Sequence, residues 1–176
     1  SVTRNKGIIM KKSRATYQSM LSGIATLGPL GYAPAPGTMG SAAALMIGGA
    51  VTITFGMIPL VIMIIIVTII SFPAIDAHTS ITQKHDASEI IIDEVIGQWL
   101  VLLAIPIVAS HDALYLYTLL AAFILFRMFD IFKPPPVSTA EDLPGAAGVI
   151  ADDIMAGVLA GVVIMASFQF YGWLYI

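Results

Sequence analysis

The 176-residue chain contains no cysteine and few charged residues. Without cysteine it can form neither disulfide bonds nor thiolate metal sites, and every mechanism with a cysteine nucleophile is excluded. Charged residues make up only 11% of the sequence and hydrophobic residues 58%, and the mean hydropathy is +0.92. This composition excludes a disordered chain and is far too apolar for an ordinary water-soluble domain.

The sequence also lacks an excess of positive charge. Eight Lys and Arg residues against eleven Asp and Glu residues give a formal net charge of −3. Because nucleic-acid binding needs a basic surface, we expect no nucleic-acid partner.

Long apolar runs dominate what remains. A helix that crosses a membrane needs about twenty mostly apolar residues. Residues 41–75 carry no charge and form a run that is too long for a single membrane crossing. Gly56 and Pro59 interrupt this run near its middle. We predict a helical hairpin with arms at 41–55 and 58–74, the first arm being short enough to be re-entrant or tilted. Three further membrane-embedded helices are predicted at 90–109, 113–129 and 146–175.

These runs predict an all-α membrane protein, a single domain over residues 1–176 that forms a bundle of about five membrane-embedded helices. Residues 1–33 differ from the rest, because five cations precede residue 15 and the apolar stretch after them is interrupted by polar residues. We expect this segment to lie on the membrane surface and not to act as a secretory signal.

Following the predicted helices in order places every cation on one side of the membrane. The five N-terminal cations are joined there by Lys84, Arg127 and Lys133, and the opposite side has none. The positive-inside rule makes this side cytoplasmic. Of the eleven acidic residues, only Asp112 falls on the opposite side. We therefore expect the functional site at the cytoplasmic ends of the helices.

Five acidic residues lie in apolar sequence at these ends of three helices: Asp93, Glu94, Asp130, Asp152 and Asp153. Each one alone is explained as simply by a helix cap or a partner of the helix dipole. Together, however, carboxylates at one depth repel each other unless a cation neutralises them. Hard oxygen ligands favour Mg²⁺, with Mn²⁺ as an alternative. We therefore expect these five residues to be the metal ligands and catalytic groups of one site.

A second group of residues is suited to binding phosphate. Residues 28–41 are rich in glycine and proline and lead into an apolar helix, whose first N–H groups attract anions. Thr38, Gly40 and Ser41 lie at this helix start, where a hydroxyl can instead cap the helix. The last two candidates, Arg127 and Lys133, lie three residues to either side of Asp130 and roughly on its face.

Several other residues are expected to play lesser roles. Asp86 and Glu89 either start the third helix or contribute to the substrate site, whereas Glu141 lies in a polar loop and is expected to be solvated. Gly157 and Gly161 have the spacing of a helix-packing step. The histidines match no metal-ligand spacing and are expected at the surface; they are His78, His85 and His111.

Two functions without catalysis also account for parts of this pattern. A small cation transporter or channel would use intramembrane carboxylates, but it needs charge near the middle of the bilayer and access from both faces. A non-catalytic assembly subunit would explain the packing glycines and leave the five carboxylates without a role. A metal-dependent enzyme accounts for their clustering at one end.

Four sequence blocks, taken in order, resemble the bacterial phosphatidylglycerophosphatase A family. They are PAPGTMGS at 34–41, DASEIIIDEVIGQW at 86–99, FRMFDIFKPPP at 126–136 and GAAGVIADDIMAG at 145–157. The resemblance implies a Mg²⁺-dependent phosphatase of the bacterial inner membrane that converts phosphatidylglycerophosphate to phosphatidylglycerol and phosphate. The sequence leaves open whether one or two metal ions bind and whether water attacks the phosphate directly or an aspartyl-phosphate forms first. It also leaves the oligomeric state open.

Overall fold

A computed structural model describes residues 2–84, 87–105 and 113–174, with side chains at 12–84, 87–105 and 115–170. Within these ranges the chain is all-α, as predicted, and contains no strand. The helices are α1 (Val2–Ala25), α2 (Pro36–Phe55), α3 (Met57–Thr82), α4 (Ile92–Leu102), α5 (Ala113–Phe132), α6 (Val137–Glu141) and α7 (Ala146–Leu174), with a 3₁₀ turn at Gly28–Tyr32. Four residues considered above lie outside the described ranges: His85, Asp86, His111 and Asp112.

Four helices of the described ranges are long and apolar enough to cross a membrane: α2, α3, α5 and α7. The first of them begins at Pro36, five residues before the predicted start, and its 20 residues are enough for a crossing. Proline suits the first position of a helix because it has no N–H to leave unpaired. A single residue, Gly56, separates α2 from α3, and its φ of 83° is one that glycine adopts readily.

The helix predicted at 90–109 is much shorter in the structure. α4 contains 11 residues, about half of a membrane crossing, and a turn follows at 103–105. Nine of its residues are buried, because the helix lies at the centre of the bundle against α7, α2, α3 and α5. Its sequence is apolar because it faces protein on all sides, so the described residues contain four candidate spans where we predicted about five.

Glycines allow α4 to approach its neighbours closely. A Cβ atom added to Gly157 of α7 would lie 2.5 Å from the carbonyl oxygen of Gly97 in α4. One turn further along α7, a Cβ added to Gly161 would lie 3.4 Å from Ala104. The expected packing role of these two glycines of α7 is therefore confirmed. Since α4 carries carboxylates in its first turn and α7 carries them in its second, this contact also sets the spacing of the site.

The N-terminal helix α1 packs against α3 and buries one of the histidines. His78 is 1% exposed, and its Nδ1 lies 2.8 Å from the Ser22 hydroxyl. The prediction of a surface position for His78 was wrong, because α1 covers this part of α3. Lys12 and Arg14 of α1 remain exposed, as expected for a basic segment.

Candidate active site

One cavity of about 300 Å³ lies where the first turns of α2 and α4 and the first two turns of α7 meet the last two turns of α5. All five predicted carboxylates line it, together with both predicted cations and one predicted hydroxyl. These residues are Asp93, Glu94, Asp130, Asp152, Asp153, Arg127, Lys133 and Thr38. The structure thus brings together groups that are up to 115 residues apart in the sequence.

Arg127 connects three of the four helices around the cavity. Its Nη1 lies 2.8 Å from Asp130 Oδ2 and 3.2 Å from Glu94 Oε1, and it donates a hydrogen bond of 3.3 Å to Ser41 Oγ. Ser41 is fully buried and donates to the Gly37 carbonyl at 2.8 Å. It neither caps α2 nor lines the cavity, and its contact instead orients the guanidinium.

Lys133 directly follows the last residue of α5 and joins this end of the helix to α6 and α7. Its Nζ lies 2.8 Å from Asp152 Oδ2 and 2.7 Å from Glu141 Oε1. Desolvation lowers the pKa of this amine, but the hydrogen bonds to Asp152 and Glu141 outweigh it and raise the pKa above its ordinary value. Glu141 was expected to be solvated; although it is half-exposed, α6 folds back and makes it a partner of Lys133.

In both α4 and α7, the first carboxylate of an acidic pair accepts a hydrogen bond from the backbone N–H of the second residue. Asp93 Oδ1 accepts a hydrogen bond from the Glu94 N–H at 3.1 Å, and Asp152 Oδ1 accepts one from the Asp153 N–H at 2.9 Å. Asp93, Asp152 and Asp153 are buried. Among the described residues, Asp153 Oδ1 and Glu94 Oε2 are buried with no hydrogen-bond partner. Unpartnered buried carboxylate oxygens are unfavourable, so these atoms are suited to a bound cation.

Two glycines of α2 make room for the Glu94 side chain. A Cβ at Gly37 would collide with Glu94 Oε1 and lie 3.0 Å from Arg127 Nη2, and a Cβ at Gly40 would lie 3.0 Å from Glu94 Oε2. Gly40 was expected to approach phosphate, but it packs on Glu94 outside the cavity lining. Gly37 lines the cavity and was missed, although its spacing of three from Gly40 indicates a shared helix face.

The structure does not place Glu89 in the cavity. Its carboxylate pairs at 3.3 Å with the exposed Lys84, whereas its neighbours Ala87, Ser88 and Ile90 do line the cavity. A backbone N–H hydrogen bond and Lys84 lower the pKa of Glu89 below its ordinary value, against a smaller effect of desolvation. The structure therefore shows Glu89 in an ion pair outside the cavity lining, and its role in the substrate site stays a prediction.

The donor set of the cavity suits a hard divalent cation. Five carboxylates face two cationic side chains, which leaves an excess of negative charge and two buried oxygens without partners. In the part of the chain that the structure describes, no group of three such side chains is already arranged to hold an ion. The chemistry of the donors therefore fits Mg²⁺ or Mn²⁺, and binding would require their side chains to reorient.

Comparison with known proteins identifies the family. The family model for phosphatidylglycerophosphatase A matches residues 23–168, which include the whole cavity lining. A phosphatidylglycerophosphatase A from Haemophilus influenzae is 34% identical over 134 residues, 76% of this chain and 78% of that protein. The enzyme of the same name from Escherichia coli is 36% identical over 77 residues, 43% of this chain and 41% of that protein.

A further relative carries a different name. A Bacteroides thetaiotaomicron protein provisionally named a phosphatidylinositol-3-phosphatase is 36% identical over 144 residues, 78% of this chain and 86% of that protein. No solved structure matches the chain. On the extent of the family match and the identity of these relatives, the chain belongs to the phosphatidylglycerophosphatase A family and is a phosphoric monoester hydrolase.

Proposed function

We propose that this enzyme hydrolyses the terminal phosphomonoester of phosphatidylglycerophosphate, giving phosphatidylglycerol and phosphate. The family match and the names of two relatives support this substrate. The structural observation that carries the proposal is the convergence of five carboxylates with Arg127 and Lys133 in one cavity. The cavity lies at the ends of the candidate spans and not at their middle, which is unfavourable for the transporter alternative.

The position of the cavity suits a lipid head group. It is formed by helix ends, so a phosphate near the membrane surface can reach it while the acyl chains stay in the bilayer. Lys84, Arg127 and Lys133 lie at this end of the bundle, and the turn at Gly56 at the other end of α2 carries no charge. By the positive-inside rule we place the site on the cytoplasmic face of the bacterial inner membrane.

We assign phosphate binding to Arg127, Lys133 and the first turn of α2. The guanidinium and the amine supply charge-assisted donors, and Arg127 Nε is a buried donor with no partner among the described residues. Gly37 and Thr38 line the cavity with first-turn N–H groups that have no partner within the helix. Donors from α2 and from the C-terminal end of α5 therefore line the same cavity.

We propose that the ligands of one or two Mg²⁺ ions, with Mn²⁺ as a substitute, come from Asp93, Glu94, Asp130, Asp152 and Asp153. When bound, a divalent ion would neutralise charge on the phosphoryl oxygens and lower the pKa of a water molecule that it contacts. We assign the role of general base, which accepts the proton of the attacking water, to a carboxylate of this group that does not contact the ion. Arg127 and Lys133 hold the phosphate in position and stabilise the negative charge that develops on it.

The test is phosphate release by the purified protein from a panel of lipid phosphomonoesters. The name of the Bacteroides relative makes phosphatidylinositol 3-phosphate the principal competitor, and phosphatidic acid, whose phosphate carries no head-group alcohol, is the control. We expect the highest kcat/KM on phosphatidylglycerophosphate. A higher kcat/KM on phosphatidylinositol 3-phosphate would reassign the substrate, and release from none of the three lipids would overturn the proposal.

A further inference from the structure

Gln98 is a polar side chain buried in α4 at the centre of the bundle. It is 0% exposed, and neither its Oε1 nor its Nε2 has a hydrogen-bond partner among the residues that the structure describes. A buried amide without partners is unfavourable for folding, whereas an apolar side chain of similar size is not. The function proposed above gives Gln98 no role, so its presence at this position needs a separate explanation.

Gln98 lies one turn further into the bundle than Glu94. It follows Glu94 by four residues, so the two side chains lie on the same face of α4, about 6 Å apart along the helix axis. Side chains of a helix lean toward its N-terminus, which directs the amide of Gln98 back toward the turn that carries Glu94. Gln98 itself does not line the candidate active site.

The two carboxylate oxygens of Glu94 have different surroundings. Oε1 lies 3.2 Å from Arg127 Nη1 and is the oxygen that a Cβ at Gly37 would meet. Oε2 is buried without a partner in the described part of the chain, and a Cβ at Gly40 would lie 3.0 Å from it. Since α2 and α4 both begin at the cavity, Gly40 lies further into the bundle than Gly37. Glu94 Oε2 is therefore directed inward, toward the turn of α4 that carries Gln98.

The part of α2 beside this turn supplies no hydrogen-bond partner. Trp99 Nε1 donates a 2.8 Å hydrogen bond to the Ala44 carbonyl, which fixes the turn of α2 after Gly40 against α4. The buried residues of α2 here are small: Gly40, Ser41 and Ala44. The Ser41 hydroxyl already donates to the Gly37 carbonyl and accepts from Arg127. Three buried polar atoms on one face of α4 thus have no partner in the described ranges: Glu94 Oε2, Gln98 Oε1 and Gln98 Nε2.

We infer that Gln98 is a positioning residue for Glu94 and acts by holding buried water against Glu94 Oε2, an inference that rests on the function proposed above. Buried water typically makes about three hydrogen bonds to polar groups that otherwise have no partner. Gln98 Nε2 donates to this water, and the water donates to Glu94 Oε2. The bridge keeps Oε2 directed inward and Oε1 beside Arg127, where we place the phosphate.

The experiment replaces the amide with an apolar side chain of similar length. In Gln98→Met, the buried water loses its partner, so we expect kcat on phosphatidylglycerophosphate to fall about tenfold while KM stays within about twofold of the wild-type value. The thermal midpoint of the metal-free protein in detergent should be equal or higher, because a buried amide without a protein partner is removed. Gln98→Leu is the second variant, in case methionine disturbs the packing.

Thr52→Val is the matched control. Thr52 is also a buried polar residue, but its hydroxyl donates a 2.9 Å hydrogen bond to the Gly49 carbonyl, and it lies at the opposite end of α2 from the cavity. This variant should lower the thermal midpoint and leave kcat unchanged. A midpoint lowered to the same extent in both Gln98 variants, or an unchanged kcat in them, would show that Gln98 is an ordinary core residue.

A double-mutant cycle tests whether Gln98 acts through Glu94. Adding Gln98→Met to Glu94→Gln should cause no further loss of kcat, because the orientation of the carboxylate no longer matters. A further tenfold loss would show that Gln98 acts independently of Glu94 and would overturn the inference.

Nuclear magnetic resonance gives a readout without substrate or turnover. The chain has four glutamines, so glutamine-specific ¹⁵N labelling and Gln98→Met together assign the side-chain amide signal of Gln98. In the metal-free protein this amide should show cross-relaxation with long-lived bound water, and the absence of such contact would overturn the water site. If the wild type hydrolyses no lipid but the water contact is present, the proposed function fails and the buried water site stands.

Discussion

Arg127 makes the most connections of the side chains around the candidate active site, since one guanidinium contacts α2, α4 and α5 through Ser41, Glu94 and Asp130. We predict that Arg127→Gln lowers kcat/KM at least about a hundredfold, because the phosphate loses a charge-assisted donor. It should also lower the thermal midpoint in detergent, because two largely buried carboxylates lose their partner.

The matched control for Arg127 is Lys84→Gln. Lys84 also pairs with a glutamate, but it is 62% exposed and lies outside the cavity. An exposed ion pair contributes about 1 kcal/mol at most. Activity and thermal midpoint should both stay at the wild-type values, and equal losses in the two variants would contradict the role given to Arg127.

A substitution at Asp153 should affect catalysis and stability differently. It is 3% exposed, and its Oδ1 has no partner in the described part of the chain. Asp153→Asn keeps the size of the side chain and removes one charge from a cluster of carboxylates, so the thermal midpoint should be equal or higher. Phosphate release should fall by about a thousandfold or more, because a proposed metal ligand is lost.

The control for Asp153 is the exposed Asp142 in the loop before α7. Asp142→Asn should leave both phosphate release and thermal midpoint unchanged. Retained turnover in Asp153→Asn, or a midpoint lowered as by a core substitution, would show that Asp153 acts in folding and not in chemistry.

At the residue scale, the sequence predicted the five carboxylates and the two cations because they share one end of their helices. It did not predict the contacts of Glu141 or Gly37, which depend on how α6 folds back and on how closely α2 approaches α4. These contacts join residues that are far apart in the sequence, so the local sequence around each residue gives little indication of them. The burial of His78 under α1 has the same origin.

At the scale of the elements, α4 shows what hydropathy can and cannot decide. An apolar run is expected both of a helix that faces lipid and of a short helix buried in protein. The run at 90–109 is predicted to cross the membrane, but in its described part, 90–105, the structure shows 11 helical residues surrounded by other helices. The runs that became α2, α5 and α7 face outward over much of their length, and their predicted bounds agree with the observed ones to within five residues.

The contact between α4 and α7 should control the geometry of the site. Gly97 and Gly157 each lie one turn after a cavity carboxylate, Asp93 and Asp153. Gly157→Ala places a Cβ against the Gly97 carbonyl, so the helices must separate, which should cost about 1–3 kcal/mol of stability. Misplacing the carboxylates by about 1 Å should lower phosphate release about a hundredfold.

A glycine in open space provides the comparison for this helix contact. Within the described residues, a Cβ added to Gly23 of α1 would have no neighbour within 4 Å. Gly23→Ala should therefore raise stability slightly, by up to about 1 kcal/mol, and leave activity unchanged. Wild-type activity in Gly157→Ala would contradict the idea that the glycine contact positions the carboxylates.

At the scale of the whole molecule, the charges define an orientation that can be measured. The chain has no cysteine, so single cysteines can be introduced on a clean background. Phe55 at the turn between α2 and α3 and Thr139 in α6 are exposed at opposite ends of the bundle. A membrane-impermeant maleimide added to intact cells should label Phe55→Cys, and Thr139→Cys only after permeabilisation; the reverse pattern would place the site outside the cytoplasm.

We propose that a cluster of carboxylates at the membrane surface uses a divalent cation to hydrolyse a lipid phosphomonoester. The decisive measurement is phosphate release from phosphatidylglycerophosphate while Mg²⁺ is titrated into the chelator-treated wild-type protein. We expect no turnover in chelator and saturable recovery with Mg²⁺ or Mn²⁺. Full turnover in chelator would show that catalysis does not depend on a divalent cation.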